Sequence, residues 1–131
     1  MVYTLRDMKN PDLLRLDEIA QTIFDKKGMN ILALDVREIS TFTEYYIIAE
    51  GNVERHVVAL VRAVINQQTE KGFPPFHVEG TATGDWVVID FGHIVVHIFH
   101  PDLREKYALE RLWNGGTIID LNIQTQTNLE K

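Results

Sequence analysis

Apolar positions set the elements. Asn10-Pro11-Asp12 opens a run in which Leu13, Leu16, Ile19, Ala20, Ile23 and Phe24 recur at helical spacing. Asn10 predicts an N-cap, Pro11 suits the first helical position, and Asp12 favours the positive end of the helix dipole. Lys26-Lys27-Gly28 predicts the stop. Ile31–Val36 and Tyr45–Ala49 are short, apolar and bounded, which predicts buried strands separated by a loop over 41–44. Val57, Leu60, Val61, Val64 and Ile65 form the stripe of a second helix. Asn52 is expected to cap it and Lys71-Gly72 to end it, before Pro74-Pro75.

Beyond Pro75 the texture is β. Phe76–Glu79 reads as a strand, and Trp86–Asp90 with His93–Phe99 reads as a hairpin turning on Phe91-Gly92. That register sets Asp90 opposite His93, Val88 opposite Val95 and Trp86 opposite His97, all on one face. Val87, Ile89, Ile94, Val96 and Ile98 form a wholly apolar second face, expected in the core. An alternative turn with Gly92 in a bulge would shift the pairing. His100-Pro101-Asp102 starts a short helix through Trp113, broken by Asn114-Gly115-Gly116. Residues 117–123 can add a strand, and the Gln/Thr/Asn-rich end reads as mobile. The order predicts one α/β domain over 1–113, with a mixed sheet flanked by helices, and a C-terminal tail over 114–131.

Composition narrows the chemistry. The chain has 131 residues, 45% hydrophobic and 24% charged, ordinary values for a globular domain. There is no cysteine, which excludes disulfides, thiol catalysis and thiolate zinc sites. The net charge of −6 and the lack of a Lys/Arg run argue against a grip on naked nucleic acid and favour a basic protein partner. No apolar stretch approaches the roughly 20 residues of a membrane span, and the first residues lack a signal-peptide pattern, so a cytoplasmic location is expected.

Several chemistries fail at the level of spacing. His93 and His97, on one strand, would stand about 13 Å apart, too far for one ion, so no metal site or cofactor is expected. Asp90-Phe91-Gly92 matches a kinase triplet without the rest of that signature, and no Walker A, G-x-S-x-G or G-x-G-x-x-G occurs. A metal-dependent nucleotidyltransferase needs clustered carboxylates; Asp90 has His93 rather than a second acid beside it, and Asp35 is remote in sequence. A binding role is favoured over catalysis. Trp86 reads either as the apolar anchor of a contact surface or as a residue packed under a helix.

The ordered set of short motifs is more specific than any of its members. Leu34-Asp35-Val36-Arg37, Glu44 through Ala49, Gly51 with Glu54-Arg55-His56, Val78-Glu79-Gly80, Gly84 through Gly92, Val95 through Phe99, and Arg104, Tyr107 and Leu109 through Trp113 follow one another from about Leu13 to Trp113. In this the sequence resembles the ribosomal silencing factor family, also called Iojap-like. The departures are Asn52-Val53 where the family commonly has Thr-Ser, His93 where it commonly has Asp, and a longer tail.

The resemblance implies a nucleotidyltransferase-like shape without that activity, and a homodimer. It implies translational repression, by binding the fourteenth protein of the large ribosomal subunit and sterically blocking joining with the small subunit. A role in large-subunit assembly is the alternative. On this reading the contact surface comprises Trp86, Asp90, His97, Tyr107 and Leu109, with Glu110 and His93 as further candidates. Trp113 reads as core or dimer contact.

Overall fold

A computed structural model describes residues 8–106 and 115–125. Helix α1 spans Pro11–Asp25. Asn10 caps it as expected: its side-chain oxygen accepts from the Asp12 amide at 3.1 Å, while its amide nitrogen donates to the Tyr45 hydroxyl at 2.7 Å. The far end differs from the sequence expectation. Lys27, not Gly28, takes the left-handed conformation, at φ 73°. The Lys27 and Gly28 amides donate to the Phe24 and Ile23 carbonyls, forming a Schellman stop. Gly28 is needed for closeness instead, because a Cβ there would collide with the Ile23 side chain.

Strands β1 (Met29–Asp35) and β2 (Tyr45–Glu50) pair antiparallel. Helix α2 (Glu54–Glu70) follows. Its N-cap is Val53, which offers no side-chain bond, rather than Asn52. The reason lies one turn on. His56 Nδ1 accepts from the Asn52 backbone N–H at 2.9 Å, and Nε2 lies 2.8 Å from the Lys26 carbonyl. With Nδ1 an acceptor, Nε2 carries the proton and donates to Lys26. His56 thereby ties the end of α1 to the start of α2.

Three more strands follow, β3 (His77–Glu79), β4 (Trp86–Asp90) and β5 (Ile94–Phe99), then helix α3 (Pro101–Lys106) and strand β6 (Thr117–Ile119). The sheet order is β3-β4-β5-β2-β1-β6. Only β2 and β5 run parallel among these pairs; α2 and the β3–β4 hairpin lie in the connection between them. The sheet is therefore mixed, as the sequence order predicts. Helices α1 and α2 cover one face. Leu16, Ile19 and Ile23 of α1 and Val57, Leu60 and Val64 of α2 pack there with Ile47, Val87, Ile89, Val96 and Ile98. The other face carries a smaller cluster of Leu34, Val36, Ile48 and Phe99, with Leu32, Tyr46 and Trp86 partly buried against it.

The β4–β5 register is shifted by two from the sequence expectation. Asp90 faces Val95, Val88 faces His97 and Trp86 faces Phe99. Phe91 drives the shift: it is buried in the helix-side core and cannot sit at the tip of a tight two-residue turn. The connection is instead three residues, Phe91, Gly92 and His93, between the end of β4 and the start of β5. The Phe91 amide donates to the Ile94 carbonyl, Asp90 Oδ1 accepts from the Gly92 amide at 2.8 Å, and Gly92 takes φ 92°. A shift of two preserves side-chain alternation, so the predicted division of faces survives within the two strands, while His93 falls in the loop.

The tail is also more attached than its composition suggests. Strand β6 pairs antiparallel with β1. The Asn122 amide donates to Asp17 Oδ1 at 2.9 Å, and the Gln124 amide donates to Gln21 Oε1 at 2.6 Å.

Candidate functional site

The outward sheet face can be read as rows across the strands. One row runs His77, Asp90, Val95, Tyr46, Leu34 and Ile118. The next runs Glu79, Val88, His97, Ile48 and Leu32. In the third, Trp86 lies beside Phe99 and Glu50. Trp86, Asp90 and His97 thus share a face, as predicted, with Trp86 and Asp90 about 13 Å apart along β4.

Trp86 and His97 form a unit. The indole Nε1–H donates to His97 Nδ1 at 3.1 Å, so the neutral imidazole carries its proton on Nε2. The Tyr46 ring meets the imidazole edge-on at 5.1 Å between centroids, and Trp86 meets Phe99 at 6.2 Å. His97 is only 7% exposed. Burial depresses its pKa to about 4, since a charged imidazole would lose its hydration here. A neutral imidazole engaged by an indole is a positioning device. Trp86 is partly buried against the Phe99 cluster, with its one polar group satisfied and part of the ring at the surface.

His93 lies elsewhere. Its exposed ring points to Asp12, with Nδ1 3.3 Å from Oδ2, and Glu44 completes a group whose ligand atoms lie within 4.8 Å of one another. Its backbone is structural: the His93 carbonyl accepts from the Glu44 and Tyr45 amides and from Thr43 Oγ1. A cleft of about 430 Å³ opens beside it, lined by Arg37, residues 40–44, Gly92 and His93. Tyr107, Leu109, Glu110 and Trp113 lie outside the described residues.

The sequence reading missed Phe99 as a neighbour of Trp86, Tyr46 as a neighbour of His97, and Asp12 and Glu44 as neighbours of His93. Alternation along β2 marks Tyr46 and Ile48 as one face, but only the parallel β2–β5 pairing says beside what.

Asp35 and Asp90 do not assemble a nucleotidyl-transfer site. Asp35 and Asp90 lie on opposite faces of the sheet, on strands separated by β5 and β2. Asp35 is also engaged by Arg37 in a fork with a shortest contact of 2.6 Å. The Arg37 hydrogen bonds hold its carboxyl below the usual range.

Comparison with known proteins decides the family. The model of the family described as "Ribosomal silencing factor during starvation" matches residues 9–131. The chain belongs to the ribosomal silencing factor family. It is 40% identical over 98 residues to the ribosomal silencing factor of Bacillus subtilis, covering 75% of this chain and 83% of that one. It is also 40% identical over 95 residues to the ribosomal silencing factor of Haemophilus influenzae, covering 72% and 93% respectively. A crystal structure from Bacillus halodurans superposes with a TM-score of 0.73 at 35% identity, covering 86% of this chain and all of that one. As a ribosomal silencing factor the chain is a non-catalytic regulator with a general role in ribosome silencing. No described helix is long and apolar enough to cross a membrane.

Proposed function

We propose that the chain represses translation by binding the large ribosomal subunit through its fourteenth protein and sterically excluding the small subunit. The observation that carries this reading is the Trp86–His97 unit on the outward sheet face. The indole is held by the Phe99 ring and by a buried neutral imidazole that Tyr46 braces in turn, so little side-chain entropy is lost when a partner covers it. A fixed, partly exposed tryptophan on the same sheet face as Asp90 has the anatomy of an interface anchor. Tyr107, Leu109 and Glu110 complete the proposed surface.

Steric exclusion needs no chemistry, only occupancy of a surface that another body requires. The charge of −6 suits a basic ribosomal protein and assists encounter more than affinity. A homodimer in the cytoplasm, a domain over 1–113 and a nucleotidyltransferase-like shape used as scaffold belong to the same reading.

The test is co-sedimentation with purified large subunits, intact or lacking the fourteenth protein. The chain should pellet with intact subunits and fail to pellet with depleted ones. Trp86→Ala should weaken pelleting while unfolding remains cooperative. Equal pelleting with both subunit preparations would remove the named partner. Undiminished pelleting of the folded Trp86→Ala variant would remove the proposed anchor.

A further inference from the structure

We propose that the cleft beside the β4–β5 turn is a second docking surface, built for a Lys- or Arg-bearing segment of a basic protein; on the reading above, that segment lies on the large subunit. The N-terminus of α1, the loop between β1 and β2 and the β4–β5 turn converge here. Phe42, on the cleft wall, is 94% exposed, and Phe76, resting against Gly92, is 78% exposed. Two exposed aromatic rings thus flank the cleft.

The charges select the partner. Asp12 and Glu44 bring carboxylate oxygens within 4.8 Å of each other and of His93. Arg37, the cleft's basic wall, is engaged by Asp35 through its guanidinium fork. The cleft therefore presents the Glu44 carboxylate, with Asp12 adjoining it, together with the exposed Phe42 ring. An ammonium or guanidinium group suits both, through charge-assisted hydrogen bonds and by lying over the ring. A phosphate backbone would meet the carboxylates repulsively, which favours protein over RNA. Hydrogen bonds from two side chains hold the loop in this shape. Ser40 Oγ accepts from the Phe42 and Thr43 amides, and Thr43 Oγ1 donates to the His93 carbonyl. This site lies at the turn end of the hairpin, whereas Trp86 lies at the other end of β4.

The test uses the full chain carrying a photo-reactive benzoylphenylalanine at position 42 or, separately, at position 79, an exposed position on the outward face beside Val88. Each is irradiated with purified large subunits and the crosslinks are mapped. Position 42 should crosslink to a Lys/Arg-rich stretch of a ribosomal protein, and position 79 to the subunit as well. A crosslink at 79 with none at 42, or crosslinks from 42 to RNA or to a second copy of the chain, overturns the second surface and leaves the Trp86 reading standing. No crosslink from either position overturns both. In parallel, Phe42→Ala and Glu44→Gln should each weaken co-sedimentation about tenfold at low salt, and Glu44→Gln should flatten its salt dependence. Unchanged binding by both folded variants overturns the proposal.

Discussion

His97 should make the fold sensitive to acid in a defined window. Its imidazole is buried, accepts the Trp86 indole N–H through Nδ1, and has its pKa lowered from 6.5 to about 4 by desolvation. In the unfolded chain it titrates near its ordinary value. Between pH 6.5 and about 4 the unfolded state therefore binds a proton that the folded state refuses. Stability is fully retained above the unfolded pKa and falls as pH drops toward the folded one. At about 1.4 kcal/mol per pH unit, the gap corresponds to about 3 kcal/mol, a large share of a typical domain's stability. The assay is urea unfolding followed by circular dichroism from pH 7.5 to 4, for the wild type and for His97→Gln. Glutamine keeps an acceptor for the indole and removes the titration. The carboxylates and the other histidines titrate in both proteins, so the difference between the two curves isolates His97. The wild type should lose about 3 kcal/mol more than the variant across the window. Parallel curves would refute the claim that a buried neutral imidazole supports Trp86.

Other residues give independent tests. Gly80→Ala forces a Cβ onto a residue at φ 94° and against the Trp86 carbonyl; thermal unfolding should show a loss of at least about 2 kcal/mol. Asn10→Ala removes the α1 cap and its bond to Tyr45, and should cost about 1–2 kcal/mol in denaturant unfolding. Deleting residues 117–131 removes β6 and uncovers the β1 edge at Ala33, Leu34 and Asp35. Hydrogen exchange should then accelerate on β1 before it does on β5, and protection of β1 equal to wild type would refute the strand pairing.

How much was legible in the sequence follows from the range of the forces involved. Alternation along Trp86–Asp90 and Ile94–Phe99 placed Trp86 and His97 on one face, because burial of Val87, Ile89, Val96 and Ile98 enforces it. The cap at Asn10 and the stop at Gly72 were legible because they depend on adjacent residues. The three-residue hairpin loop was not, since it answers to a core pocket for Phe91 supplied by distant elements. Asn52 looked like a cap, yet the bond that orders that turn comes from His56, which also reaches the end of α1. A two-residue turn at Phe91-Gly92 sets His93 opposite Asp90 on the Trp86 face, whereas Asp90 in fact pairs with Val95. The actual neighbours of His93, Asp12 and Glu44, come from segments that only the tertiary fold brings together. Family membership was legible because it rests on motif order rather than on contacts.

Subunit joining tests the central claim most directly. Light scattering is recorded as small subunits are added to purified large subunits preincubated with increasing amounts of the chain. The account predicts a dose-dependent fall in joining to a low plateau, with Trp86→Ala shifting the curve to higher concentrations. Full joining by large subunits that demonstrably carry the bound chain would contradict steric exclusion.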